Sequence, residues 1–180
     1  MEDNLDKIGC EERTAKASYH VNFLNTYEKY FKKFKDSKPT IVEIGVYKGA
    51  SLRTWLRYFD GARVIGFDIN EKRSSEHCPK ECELIVGDQS KQEDLEKIPS
   101  ADIIVDDGSH LIDHFVKTFF YLYDNRLKDG GLYIIEDLHC IYQSKKYAGN
   151  SPEKLAHFLK YLDDKKIKHK LYDRFVIIFK

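Results

Sequence analysis

Two short stretches of this sequence end in side chains suited to acid–base or metal chemistry. Each is an apolar run that leads straight into acidic residues. The side chains are Asp106, Asp107 and His110 after the first run, and Glu136 and Asp137 after the second. Carboxylates gathered in one place are costly unless a cation or bound protons compensate their charge. The two stretches therefore predict a reactive site in which a histidine lies beside a carboxylate cluster.

A glycine-bearing turn, residues 43–51, follows the first apolar run of the chain. Gly45 and Gly49 permit a sharp turn and the close approach of a ligand to the backbone. The helix expected behind them would present free amide groups. The spacing departs from Gly-x-Gly-x-x-Gly, and the sequence has no Gly-Lys-Ser/Thr phosphate loop, which disfavours dinucleotides and nucleoside triphosphates as ligands. A packing role for Gly45 is the alternative.

Two more apolar runs also end in an acid. Asp68 is placed to accept hydrogen bonds from both hydroxyls of a ribose, because an ionised carboxylate offers two acceptor oxygens. Asp88 could meet an adenine amino group. For either residue alone, a solvated carboxylate that caps the next helix is an equal alternative. Their occurrence after successive runs favours a nucleoside site.

These acids meet only if the apolar runs are neighbouring strands of one sheet, since ligands bind at the carboxyl ends of parallel strands. Short apolar runs bounded by turn residues are typical of such buried strands. Strands are predicted at 40–46, 62–69, 82–88, 103–105 and 132–135. Helical spacing of apolar residues predicts helices at 19–34, 52–59, 92–98, 112–124 and 151–162. Lys128–Gly131 is expected to be a helix stop.

The two ends of the chain complete the predicted fold. Residues 167–172 and 175–179 read as a closing antiparallel hairpin, and 142–150 as a loop over the crevice. Residues 1–18 are expected to form a short helix or a mobile arm. The whole predicts a three-layer, Rossmann-like α/β fold with a mostly parallel sheet and a C-terminal antiparallel hairpin. We expect one domain, with residues 1–38 packing as a helical segment on a core formed by 39–180.

Composition excludes several classes of function. The chain has 180 residues, and 30 basic residues balance 30 acidic ones. No overall field therefore attracts nucleic acid or an anionic membrane. No apolar segment approaches the length of a membrane span, and the acidic start is no signal peptide. The four cysteines include one close pair, Cys78 and Cys82, so a structural zinc site is not favoured, and free thiols in a reducing, cytoplasmic compartment are expected.

Taken together, these motifs resemble a class I S-adenosylmethionine-dependent methyltransferase. The similarity covers roughly 39–138 and lies in Glu-x-Gly-x-x-x-Gly-x-Ser, the acid after the second strand, Gly-Asp at 87–88 and Asp-Asp-Gly-Ser-His at 106–110. The last motif and Gly-Gly-x-Tyr-x-Ile-Glu-Asp-Leu at 130–138 resemble the metal-dependent sugar O-methyltransferases of macrolide biosynthesis and the cephalosporin hydroxylase-like group. A Thr-Asp-Lys signature of that family is present only as Arg13-Thr-Ala-Lys16.

This resemblance implies roles for particular residues. The S-adenosylmethionine site would be formed by Glu43, Gly45, Gly49, Ser51, Asp68, Asp88 and Asp106. A divalent cation, Mg²⁺ or another, would be held by Asp107, Glu136 and Asp137, and which of the adjacent pair binds it stays open. His110 would be the base. The acceptor would be a sugar or a nucleotide sugar, and a homo-oligomer is possible. Lys145 and Lys146 are either part of a solvated loop or contacts for an anionic acceptor.

The residue types suit this chemistry. An alcohol is too weak an acid for histidine alone to deprotonate. A bound Mg²⁺ lowers the pKa of the hydroxyl, so that a histidine base suffices near neutral pH. All-oxygen ligands suit Mg²⁺ or Ca²⁺ better than zinc. Two alternatives stay open: an NAD-dependent Rossmann oxidoreductase, supported by Asp68, and a non-catalytic domain that keeps the fold.

Overall fold

The computed structural model describes residues 4–143 and 145–180. Its centre is a seven-stranded sheet in the order β3-β2-β1-β4-β5-β7-β6. The strands are β1 Thr40–Ile44, β2 Arg63–Asp68, β3 Glu83–Val86, β4 Ala101–Asp106, β5 Leu127–Ile135, β6 His169–Leu171 and β7 Val176–Phe179. β1 to β5 run parallel, whereas β7 is antiparallel to both β5 and β6. The predicted mostly parallel sheet with a C-terminal hairpin is confirmed.

Seven helices flank this sheet in the part of the chain that the structure describes. They are α1 Leu5–Glu11, α2 Leu24–Phe31, α3 Ala50–Tyr58, α4 Glu71–His77, α5 Gln92–Leu95, α6 Ile112–Asn125 and α7 Pro152–Asp164. One apolar core lies where α6 and α7 cover one face of the sheet. A second core lies on the opposite face, under α1, α2 and α3. Within the described ranges, no helix is long and apolar enough to cross a membrane.

The order of the strands creates the crevice. The chain runs outward from β1 to β3, then returns to place β4 on the other side of β1. Such a reversal separates the loops that follow the two central strands and leaves a ligand crevice at their carboxyl ends. Ile44 and Asp106 are register partners at the ends of β1 and β4. The loops bearing Gly45 and Asp107 therefore begin side by side.

The first long helix differs from the prediction at both of its ends. The helix expected from residue 19 begins at Leu24, because the backbone of Asn22 is left-handed and the amides of Phe23 and Leu24 bond to the carbonyl of Lys16. Its last turn, Lys32–Phe34, is 3-10 rather than α.

Lys128–Gly131, expected to stop a helix, lies in β5 instead, because α6 has already ended at Asn125. A register irregularity against β4 absorbs the glycines. In the predicted loop 142–150, Tyr142 ends a 3-10 turn and Ser144 lies outside the described residues. The expectation for residues 1–18 likewise falls partly outside them, while α1 forms at Leu5–Glu11.

Candidate active site

A cavity of about 490 Å³ opens at the carboxyl ends of β1, β2 and β4, and we call it the donor cavity. Its walls combine apolar, acidic and imidazole groups. Among its lining residues are Gly45, Tyr47, Phe67, Asp68, Ile69, Arg73, Asp88, Gln89, Asp107, His110, His114 and Asp137. Three of the predicted donor-binding residues, Gly45, Asp68 and Asp88, thus lie in one wall. A nucleoside fits the volume and the mixed lining of this cavity.

The two predicted nucleoside acids also organise their own loops. Asp68 Oδ2 accepts a hydrogen bond from the amide of Val46 at 2.8 Å, and its Oδ1 accepts one from Asn70 at 2.8 Å. Asp88 Oδ1 accepts a hydrogen bond from the amide of Ser90 at 2.9 Å. For Asp68 and Asp88, capping of the local backbone and lining of a ligand site were alternatives in the sequence analysis. In the structure, both carboxylates bond to loop amides and also line the donor cavity. Each carboxylate is thereby held in place where it faces the cavity.

Gly45 allows the two central loops to touch. Its φ is +93°, and a Cβ at this position would lie 2.2 Å from the carbonyl oxygen of Asp107. The amide of Asp107 in turn donates to the carbonyl of Ile44 at 2.9 Å. Any larger residue at position 45 would therefore push the Asp107 loop away from β1.

Gly149 offers a matched control for this contact. Its φ is +92°, and no described atom comes within 4 Å of a Cβ built there. Gly149→Ala should cost only the left-handed penalty of about 1–2 kcal/mol. Gly45→Ala adds a clash, so we expect the free energy of unfolding to fall by about 2 kcal/mol more than for Gly149→Ala, measured by guanidinium denaturation. Equal losses for the two variants would refute the close contact.

Glu43, Gly49, Ser51 and Asp106, also predicted to bind the donor, do not line the donor cavity. Glu43 is buried, and its carboxylate accepts hydrogen bonds from Ser51 Oγ and Trp55 Nε1, both at 2.7 Å. Burial raises the pKa of Glu43. Gly49 is left-handed at φ +65° and starts α3. Glu43 therefore ties β1 to α3 from behind the cavity.

Asp106 is fully buried beneath the floor of the donor cavity. Its oxygens accept hydrogen bonds from Gln89 Nε2 at 3.1 Å and from the hydroxyl of Tyr133 at 3.2 Å. Removal from water raises the pKa of Asp106 to about 7, against the opposing effect of these donors. Gln89 also accepts a hydrogen bond from the amide of Ser109 at 2.7 Å. The hydrogen-bonded pair of Asp106 and Gln89 thus fixes the loop that carries Asp107 and His110.

The predicted catalytic and metal-binding residues largely converge. Asp107, His110 and Asp137 each offer a ligand atom, and these atoms lie within 4.8 Å of one another. The backbones of His110 and Asp137 are left-handed, at φ 58° and 56°. Such conformations are costly outside glycine and cluster at functional sites. His110 Nδ1 is buried without a hydrogen-bond partner among the described residues, and Nε2 of the same ring lies 3.9 Å from Asp137 Oδ2.

Glu136 lies deeper, beside a lysine that the sequence did not single out as a site residue. Lys16 Nζ is 2.6 Å from Glu136 Oε2, 2.5 Å from Asp107 Oδ2 and 3.3 Å from Glu43 Oε1. Tyr27 donates its hydroxyl to Glu136 Oε1 at 2.9 Å. Burial alone would lower the pKa of Lys16, but attraction by the three carboxylates outweighs it and raises this pKa well above its usual value. An ammonium ion therefore offsets part of the negative charge of these three acids.

A second cavity of about 320 Å³, which we call the acceptor cavity, adjoins the first. The two share Gly45, Tyr47, Asp107 and Asp137. The acceptor cavity is otherwise lined by the N-terminal segment, the loop after β1, the start of α3 and the residues around β5 and β7. Ser51 and Glu136 lie in its wall. Two compartments thus meet at the carboxylates of the cluster, with His110 on the donor side.

Sequence reasoning missed several residues of this site. Gln89 directly follows the Gly-Asp motif, but an amide side chain by itself carries no signal for a buried bridge. Tyr47 and Arg73 line the donor cavity with the Arg73 guanidinium 5.3 Å from the ring centre of Tyr47, which spacing alone does not reveal. The sequence did contain a signal for Lys16, because this residue ends the partial Thr-Asp-Lys signature. Its contacts lie 91 and 120 residues away along the chain.

Comparisons with known proteins agree on one kind of domain. A family described as a methyltransferase domain matches residues 42–138. The 8-demethyl-8-alpha-L-rhamnosyl tetracenomycin-C 2'-O-methyltransferase of Streptomyces olivaceus is 42% identical over 127 residues, or 64% of this chain and 33% of that protein. The mycinamicin VI 2''-O-methyltransferase of Micromonospora griseorubida is 32% identical over 150 residues, or 77% of this chain and 37% of that protein.

A solved structure is similar over the whole chain. It is the MycE methyltransferase from the mycinamycin biosynthetic pathway, in complex with Mg and SAH. The TM-score is 0.86 at 27% identity, over 100% of this chain and 55% of that chain. The present chain spans about a third of the length of the curated relatives named above.

Proposed function

This chain belongs to the methyltransferase domain family, and from that premise we propose that it moves a methyl group from S-adenosylmethionine to a hydroxyl group of a sugar. The observation that carries the proposal is the junction of the two cavities at Asp107 and Asp137, with His110 beside it. One cavity suits the adenosyl donor, and the other leaves room for an acceptor. The sugar and the hydroxyl are taken from the relatives, which are named as O-methyltransferases of glycosylated natural products.

The residues at the junction fit a divalent cation. Asp107 and Asp137 at the junction, and Glu136 deeper in the acceptor cavity, offer carboxylate oxygens, the ligands that Mg²⁺ prefers. Lys16 and Tyr27 each occupy one oxygen of Glu136, but a carboxylate has about four acceptor positions and can serve a cation as well. When bound, the cation would lower the pKa of the acceptor hydroxyl. His110 lines the donor cavity beside this junction, and its Nε2 lies 3.9 Å from Asp137 Oδ2.

The chain's own residues then have defined tasks. Gly45, in the loop after β1, and Asp68, at the end of β2, would hold the donor and its methyl carbon in the donor cavity, beside the junction. The acceptor oxygen attacks this carbon in line, and a carbon–oxygen bond forms as the carbon–sulfur bond breaks. A ring nitrogen of His110 accepts the hydroxyl proton. The products are a methyl ether, S-adenosylhomocysteine and a protonated imidazole that releases its proton to water.

Donor binding is the first test of this proposal. We expect S-adenosylhomocysteine to bind the folded protein with one site in calorimetry. Asp68→Ala should weaken this binding at least tenfold, because it removes both a cavity wall and the anchor of the loop at Val46. Asp60→Ala, at an exposed position just after α3 and outside both cavities, is the control. Failure of the folded protein to bind the nucleoside would reject the proposal, and binding of NADH instead would favour the oxidoreductase.

Cation binding tests the second part of the proposal, the divalent cation at the junction. With the donor bound, Mn²⁺ in place of Mg²⁺ should bind at one site and report through its magnetic resonance spectrum. Asp107→Asn and Asp137→Asn should each weaken Mn²⁺ binding by about 10–100-fold, because each loses one charged oxygen ligand. Asp113→Asn, an exposed acid, is the control. Unchanged Mn²⁺ affinity in both site variants would remove the cation from the proposed mechanism.

A further inference from the structure

The acceptor cavity is lined by four basic side chains and by three acids, Asp107, Glu136 and Asp137. Its lining cations are Arg13, Lys16, Lys48 and Arg174, with His20 and His139 beside them. Lys16 is paired with Asp107 and Glu136 in the buried part of the cavity, and with Glu43 behind its wall. The others stand nearer the opening, where Arg13 and Lys48 are exposed and Arg174 is half-buried. The sequence as a whole is neutral, so the positive charge near the opening is a local excess.

Within the described residues, these outer cations lack effective carboxylate partners, although Lys48 Nζ lies 5.5 Å from the ring centre of Tyr47. Across residues 4–143 and 145–180, neither Arg13 nor Lys48 has a carboxylate within ion-pair distance. Arg174 Nε lies 3.9 Å from Asp173, whose side chain is 99% exposed, so this pair is worth little. By contrast, two arginines of α3 are paired, with Arg53 at 2.8 Å from Glu12 and Arg57 at 2.5 Å from Glu11.

Three separate parts of the fold bring these cations together. Arg13 follows α1, where its amide and that of Thr14 bond back to the carbonyls of Cys10 and Gly9. Lys48 belongs to the turn closed by the Gly49 amide on the carbonyl of Val46 at 2.8 Å. Arg174 lies in the β6–β7 turn, and its carbonyl accepts a hydrogen bond from Leu138 at 2.8 Å. Each backbone position is anchored, so the convergence is a feature of the fold.

We infer that the acceptor cavity selects a sugar that carries an oxyanion, a phosphate or a carboxylate, and that Arg13, Lys48 and Arg174 contact this group. The inference rests on the proposed function, because the sugar hydroxyl must reach the junction at Asp107 and Asp137. A cation held there would offset the remaining acids and leave the three outer charges unopposed. An arginine fork binds both kinds of oxyanion through paired N–H groups.

Matched probes test this inference. The protein, saturated with S-adenosylhomocysteine and Mg²⁺, is titrated with methyl β-D-glucuronide, with glucose 1-phosphate and with neutral methyl β-D-glucoside. We expect at least one charged probe to bind tenfold or more tightly than the glucoside, and its affinity to fall as NaCl is raised. The stronger of the two charged probes identifies the source of the oxyanion. Equal binding of charged and neutral probes, or no binding of any probe, would overturn the inference.

Variants test which side chains bind the charged group of the probe. Arg13→Gln combined with Lys48→Gln should abolish most of the preference for the charged probe and leave binding of S-adenosylhomocysteine within about threefold. Lys80→Gln, an exposed lysine outside both cavities, is the control. Loss of S-adenosylhomocysteine binding in the double variant would assign these cations to the carboxylate of the donor and refute the inference. If the unmodified protein binds no S-adenosylhomocysteine, it is the proposed function that fails.

Discussion

His110→Asn is expected to lower kcat for methyl transfer by about 10²–10⁴-fold, the usual contribution of a general base. Asparagine is the suitable replacement, because His110 has a φ of 58° and asparagine tolerates left-handed backbone better than other residues. The loop should keep its position, since the carbonyl of residue 110 accepts a hydrogen bond from Asn150 Nδ2 at 2.8 Å. Only the imidazole is then lost, between the rings of Phe115 and Tyr147.

The measurement is transfer of a labelled methyl group to an accepted glycoside, with S-adenosylhomocysteine binding followed in parallel. Donor binding should stay within about threefold, because the loss concerns proton transfer and not the nucleoside. His157→Asn, an exposed change on α7, should leave both quantities unchanged. A His110→Asn enzyme that keeps its kcat would show that the proton leaves by another route.

Lys16→Met is expected to lower the free energy of unfolding by about 3–5 kcal/mol, the range found when one partner of a buried ion pair is removed. The methionine fills a similar volume, so the loss is chiefly electrostatic. It leaves Glu43, Asp107 and Glu136 close together without the ammonium ion that contacts all three. Glu43 and Glu136 are almost fully buried and cannot recover this energy from water.

Guanidinium denaturation in the absence of divalent cations measures this loss. Lys80→Met, at an exposed site, should change the free energy of unfolding by no more than about 0.5 kcal/mol. Adding Glu136→Gln to Lys16→Met should restore part of the loss, because it removes one of the unbalanced charges. A loss below about 1 kcal/mol for Lys16→Met would mean that the acids are protonated, or that water reaches them.

Local patterns predicted the parallel part of the fold. Three short apolar runs lead to Asp68, Asp88 and Asp106. In each run the apolar residues predicted a strand and the acid marked where it ends, and each run contains a strand, β2, β3 and β4. The start of α7 was equally local, since Ser151 caps the helix and Pro152 occupies its first turn. The prediction of a helix stop at Lys128–Gly131 was wrong. Two adjacent glycines are compatible with the end of a helix and also with an irregular stretch of strand, and here they lie in β5.

The candidate site was likewise predicted only in part from the sequence. The sequence by itself determined that Asp107, His110 and Asp137 stand just after apolar strands, and strand ends of one sheet must share a rim. Tertiary structure alone decided that Glu43 and Asp106 lie behind the cavity, that Gly45 touches Asp107, and that Lys16 meets three acids from distant parts of the chain. Those facts depend on strand order and on long-range burial. Alternation and spacing along a chain report neighbours in sequence, whereas the charge balance of a buried cluster is set by whichever segments fold onto it.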